Sequence, residues 1–237
     1  MEHAFLESRS DERNCYENEH EKPRAVARMH DMELRSVFPI FPLNQVVLIP
    51  GALLPLHIFE PRYRQMVQDA LDGARLIGMA SSTVRSKFGC PAVDPVLGLG
   101  RILHRQLYPD GRSDIIIEGL ARMEIEEELT TDKPYRIVRA SPMVEIEPAS
   151  DLRDRAKALL DKLPSFDEEE RAVFAKLPLS RLLDSLLLRI TTTMTVKHEI
   201  FAMPRLAERL EALEHAAADI DGPPSYCSFT SGDPRLN

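Results

Sequence analysis

A chain of 237 residues, 43% of them hydrophobic, is long enough to bury a sizeable core in one or two compact units without covalent staples. Its formal charge of -8 opposes attraction to phosphate backbones and anionic lipid, which disfavours nucleic acid and membrane surfaces as partners. Cys15, Cys90 and Cys227 are odd in number, far apart and without CxxC spacing, so they read as reduced thiols of a cytoplasmic protein, with neither a disulfide framework nor structural zinc.

Residues 1–36 are crowded with Glu, Arg, Asp, Asn and His, lack periodicity, and are expected to form a disordered polar tail. Acids from the second residue and the lack of an apolar stretch argue against a secretory signal or an anchor, and no later run is apolar enough to span a bilayer. The Pro, Gly and Ser density of residues 222–237 predicts a second disordered tail.

Residues 37–147 read as a β-rich lobe. FPIFPLNQVVLIP has the β-branched and aromatic content of a strand, with prolines that confine its early part to a sheet edge or a strand start. Pro50-Gly51 suits a type II turn, with Pro fixing φ and Gly supplying φ > 0 at the next position. After Ala52–Phe59, Glu60-Pro61 opens a helix on which Tyr63, Met66, Val67, Ala70 and Leu71 share a face, and Asp72-Gly73 closes it. Leu97–Leu107 and Ser113–Glu118 flank Tyr108-Pro109-Asp110-Gly111, which predicts a hairpin. Gly119 is expected to break that run. Ala121–Glu127 and Tyr135–Ile146 add strands, giving an antiparallel lobe with one inserted helix.

Residues 148–221 change to a helical period. Leu152, Ala156, Leu159, Leu160 and Leu163 form one stripe, and Ser165 with Glu168 reads as a capping box for the next helix. Leu179, Leu182, Leu183, Leu186, Leu187 and Ile190 mark another, Val196–Met203 a short one, and Leu206, Leu210, Leu213 and Ala217 the last. The fold class is therefore α+β.

Catalytic patterns are missing. There is no GK[ST] phosphate loop, no GxSxG and no SxxK. Gly98-Leu99-Gly100 starts like a dinucleotide fingerprint but has Leu103 at the sixth position and runs on as a strand, so it reads as glycines at a bend. His198-Glu199 is half of a zinc-protease motif, with Ala202 where the second histidine belongs. Cys15 and His20 make too small a ligand set for a metal. His57, in an apolar strand, is more often packed and hydrogen-bonded than catalytic. The run Glu124, Glu126, Glu127, Glu128 reads as a solvated strand face.

Residues 38–67, FPIFPLNQVVLIPGALLPLHIFEPRYRQMV, closely resemble the opening of the N-terminal substrate-binding domain of the Lon protease family. GLGRI at 98–102, PDG at 109–111, IIIEGLARMEI at 115–125 and Pro134-Tyr135 follow in the order of that domain. The resemblance implies a PUA-like barrel followed by a helical lobe, and recognition of unfolded or degron-bearing polypeptide. It further implies a stand-alone member without the ATPase and Ser-Lys protease modules: not an enzyme, without cofactor or metal, and an adaptor in protein quality control that meets a protease or chaperone. The alternatives are an RNA-binding PUA-like module and a small-ligand receptor or enzyme with a pocket between the lobes.

The candidate polypeptide-binding residues are Arg62, Tyr63 and Arg64, with His57 and Phe59 beside them. The opposing reading packs Tyr63 in the core and has Arg62 or Arg64 clamp Glu60 or a carbonyl. Pro50, Gly51, Pro55, Pro61, Pro109 and Gly111 are expected to fix the turns.

Overall fold

The computed structural model describes residues 36–81, 84–85, 91–147 and 152–218, all within one compact unit. The expectations for residues 1–35 and 222–237, and for Cys15, His20, Cys90 and Cys227, lie outside the described residues. The strand-rich half comprises β1 (Ser36–Pro42), β2 (Leu53–Ile58), α1 (Pro61–Asp72), β3 (Leu76–Ala80), β4 (Val84–Arg85), β5 (Pro91–Ala92), β6 (Val96–Leu107), β7 (Ser113–Leu129) and β8 (Arg136–Pro142). The helical half comprises α2 (Arg153–Lys162), α3 (Glu168–Phe174), α4 (Leu179–Arg189), α5 (Met194–Phe201) and α6 (Leu206–Ala218).

The main sheet runs β2-β7-β6-β3-β1-β8, and β7 also pairs with β8, so β7, β6, β3, β1 and β8 form a closed circuit of pairings with β2 attached outside it. The sheet is mixed rather than antiparallel throughout, because β1 runs parallel to β3. Nor does β1 sit at an edge. Its prolines are accommodated by stagger: β1 pairs with β8 over residues 36–40 and with β3 over 40–42, so Pro39 is registered against one strand only.

The expected break at Gly119 does not occur, since β7 continues through it to Leu129. What Gly119 supplies is room. A Cβ there would lie 2.1 Å from the Ile49 carbonyl oxygen, and one at Gly98 would lie 2.1 Å from that of Leu48. These glycines let the 47–50 segment lie directly on the β6–β7 ladder. The segment is fastened by bonds from the Gly51 amide to the Gly119 carbonyl and from the Gly119 amide to the Ala52 carbonyl. Gly51 has φ +87, and the Ala52 amide donates to the Ile49 carbonyl at 3.0 Å, closing the expected Pro50-Gly51 turn.

The same segment joins the two halves. Leu48 packs into the core beneath α1, with Tyr63, Met66, Val67, Ile102 and Ile117, whereas Ile49 enters the helical core among the leucines of α2, α4 and α6. The leucine stripes of the helical half are buried as expected. The capping box is shifted by two residues. Asp167 caps α3 by accepting from the Glu170 amide, Glu170 reaches back to the Asp167 amide, and the Ser165 hydroxyl is buried without a partner.

A charged ring completes the junction. Arg122 of β7 and Arg209 of α6 each donate to one oxygen of Glu145, on the segment leading to α2, and to one oxygen of Asp184 on α4. Arg209 is 0% exposed and Arg122 5%. Burial pushes the Arg122 guanidinium down to about 9, helped by the Arg209 charge and opposed by Glu145; burial likewise pushes Arg209 down to about 10. The 143–146 segment is also bonded to both halves, with the Met143 amide on the Arg122 carbonyl and the Ile146 amide on the Pro204 carbonyl.

Candidate binding face

Along β2 the side chains alternate, as a strand exposed on one face requires. Leu54, Leu56 and Ile58 turn toward the core, and Leu53, Pro55 and His57 are exposed. Across the ladder these three stand opposite Glu118, Ile116 and Asp114 of β7, which in turn face Arg101, His104 and Gln106 of β6. The result is an outer face with apolar Leu53, Pro55 and Ile116 at its centre, extended by exposed Leu103 and Phe59.

β2 pairs with no described strand besides β7. The Ala52 carbonyl faces β7, so main-chain alternation turns the Leu54, Leu56 and Ile58 groups inward and those of Leu53, Pro55 and His57 to the open side. Pro55 is expected to fix a turn, yet it lies in the middle of this strand, where its missing N–H removes the central donor of the edge. Pro61 likewise is the first turn of α1 rather than a turn of the chain. Pro109 and Gly111 do make the hairpin turn, with Gly111 at φ +84 and its amide bonded to the Tyr108 carbonyl.

One end of the face is held by a polar cluster. His57 Nδ1 lies 2.5 Å from one oxygen of Asp114, and the Tyr108 hydroxyl donates to the other at 2.5 Å. These two bonds, tyrosine first, hold the Asp114 carboxyl below the usual carboxylate range. The Phe59 and Tyr108 rings each stand 6.3 Å from the His57 ring. Arg64 ties the start of α1 to the hairpin, donating from Nε to the Phe59 carbonyl at 2.7 Å and from Nη1 to the Asp110 carbonyl at 3.1 Å.

The five predicted residues are thus neighbours with different environments. His57 and Phe59 are exposed on the face. Arg64 bonds backbone carbonyls, and exposed Arg62 bonds Glu60 at 2.9 Å while covering the Tyr63 ring at 4.5 Å. Tyr63 is buried against Phe41, and burial pushes its hydroxyl pKa up. The reading of the sequence missed Tyr108 and Asp114. Alternation puts Asp114 on one face with Ile116 and Glu118, but nothing local pairs it with a histidine fifty-seven positions away, and Tyr108 lies outside that strand, in the hairpin turn.

Among the described residues, no group of three or more His, Cys, Asp or Glu is placed to hold a metal ion, and no helix is long and apolar enough to cross a membrane. His198 is half-buried on α5, and burial pushes its imidazole down.

A family model described as ATP-dependent protease La (LON) substrate-binding domain matches residues 37–217. Lon protease of Cytophaga hutchinsonii is 31% identical over 144 residues, covering 60% of this chain and 17% of that protein. Lon protease of Dictyoglomus thermophilum is 28% identical over 196 residues, covering 77% of this chain and 24% of that protein. The chain therefore spans less than a quarter of the length of either relative. Two solved structures share the fold. A Lon N-terminal domain protein from Xanthomonas campestris superposes with a TM-score of 0.59 at 22% identity, covering 76% of this chain and 98% of that one. The N-terminal domain of Mycobacterium avium complex Lon protease gives 0.63 at 18%, covering 78% and 100%.

Proposed function

The chain belongs to the family of ATP-dependent protease La (LON) substrate-binding domains, and from that premise we infer that it binds polypeptide segments without cleaving them. The observation that carries this reading is the outer face of β2, β7 and β6, where Leu53, Pro55 and Ile116 are exposed at the centre and Phe59 is exposed beyond the fixed imidazole of His57. Apolar groups on an accessible, rigid sheet suit side chains that a folded client would bury. The edge of β2 suits this purpose less well, because Pro55 interrupts its donors. The PUA-like barrel reading draws on the closed circuit of strand pairings. In the cytoplasm such a module serves as an adaptor in protein quality control, presenting unfolded or degron-bearing chains to a protease or chaperone.

The test is fluorescence anisotropy with a labelled, permanently unfolded polypeptide and its folded counterpart, comparing the parent chain with Leu53→Glu/Ile116→Glu. Both side chains are at least partly in water, so the melting temperature should hold. Preferential binding of the unfolded form, weakened about tenfold or more by two charges on the apolar centre, is the expected result. Equal affinity of parent and variant would remove this face as the binding surface.

A further inference from the structure

We propose that His57 is the polar reader of this face, an acceptor for a hydrogen-bond donor carried by the bound polypeptide, and that Asp114 and Tyr108 are the positioning residues that aim it. The inference rests on the polypeptide-binding reading and adds the chemical class that the site selects.

The tautomer follows from the partners. An ionised carboxylate only accepts, so the 2.5 Å contact between His57 Nδ1 and Asp114 places a proton on Nδ1. The second Asp114 oxygen is taken by the Tyr108 hydroxyl, also at 2.5 Å, which fixes the carboxylate plane and through it the ring. In the neutral imidazole the remaining nitrogen, Nε2, then carries a lone pair. The His57 side chain is 45% exposed, so that lone pair is within reach of a ligand.

The surroundings favour a donor over an acceptor. The carboxylate behind the ring makes the imidazole a better acceptor and repels anionic groups. The nearby cations are occupied: Arg112 holds the Asp110 carboxylate, and Arg64 holds two main-chain carbonyls. Flanking Phe59 and Tyr108 rings offer apolar surface to the stem of a long side chain, so a lysine ammonium fits the site, and an amide shares its donor chemistry.

The experiment uses three unstructured peptides that differ at one central position, lysine, glutamine or norleucine, titrated calorimetrically at mildly alkaline pH into the full chain, His57→Phe and Asp114→Asn. A hydrogen bond to a charged donor predicts about tenfold tighter binding of the lysine peptide than of the norleucine peptide, with a smaller preference for glutamine. His57→Phe loses the lysine preference. Asp114→Asn weakens the preference, and nitrogen NMR shows the imidazole proton leaving Nδ1, a signature that mere structural support would not produce. Equal affinity for the three peptides in the parent chain, or a preference that survives His57→Phe, overturns the proposal while leaving the polypeptide reading intact. Failure of the parent chain to bind any of the three overturns both.

Discussion

Replacing Gly119 by alanine adds a single methyl group at the point where the helical core and the core beneath α1 are joined. The new Cβ would lie 2.1 Å from the Ile49 carbonyl oxygen, 2.9 Å from its carbon and 3.3 Å from the Pro50 Cα, all main-chain atoms that no rotamer change can move aside. The 47–50 segment has to lift, and Ile49, 1% exposed in the helical core, lifts with it. Overpacking of this kind costs about 1–3 kcal/mol, and withdrawing an isoleucine from a core forfeits up to about 1.5–3 kcal/mol more. The sum is roughly 2.5–6 kcal/mol. With a urea slope of about 2 kcal/mol/M, the unfolding midpoint should fall by about 2 M. Gly73→Ala is the matched control, because the nearest atom to its Cβ would be the Asp69 carbonyl oxygen at an ordinary 3.5 Å. Equal midpoints for the two variants would refute the close-approach account of Gly119.

Other substitutions probe different interactions. Asp184→Asn leaves two buried guanidiniums sharing Glu145 alone, and thermal unfolding should register a loss of about 3–5 kcal/mol. Gly51→Val forces a β-branched residue to φ +87 and should cost at least about 1–2 kcal/mol; unchanged thermal stability would refute the turn assignment. Arg75, at φ 62, is the converse case, and Arg75→Gly should raise the unfolding free energy slightly, by up to about 1 kcal/mol, as urea melts would show. The Asp69 carboxyl is held below its ordinary value, first by the Tyr135 hydroxyl and then by Lys133. A depressed folded-state pKa contributes stability above the unfolded value, near 3.8, and that contribution is lost as pH falls through the folded one. Urea melts of Tyr135→Phe should therefore differ from the parent most at neutral pH and converge as pH falls through the folded-state value; a constant difference would assign the effect to packing instead.

Local chemistry made much of the architecture legible. Glu60-Pro61 and Asp72-Gly73 bracket α1 because a proline without an amide proton suits a helix start and a glycine can close one. The leucine stripes identify α2, α4 and α6 because burying one face of a helix demands that period. Less was legible where partners are distant. Arg122 alternates with apolar neighbours like a surface strand residue, and its partner Asp184 is sixty-two positions away. A signal was nevertheless present: Asp184 lies among Leu182, Leu183, Leu186 and Leu187, and Arg209 beside Leu206, Leu210 and Leu213, so each helix carries a charge against its own apolar stripe. Gly119 was misread because a glycine in a strand marks a break and a close main-chain approach equally well. On the binding face, the expectation of a packed, hydrogen-bonded His57 is met by its bond to Asp114 but not by its exposure, and that bond depends on a pairing register that no short motif encodes.

Pro55 has a consequence for the chain in crowded solution. An open strand beside apolar side chains is a nucleus on which a like strand can lay itself down, and then another, until a soluble protein becomes the seed of a fibre. Such growth needs an unbroken row of donors. Along β2 that row has Leu53 and His57 at its ends and an imide nitrogen between them, so an incoming strand leaves a carbonyl unanswered at its middle. The side chains can therefore be offered to visitors while the backbone declines to template them.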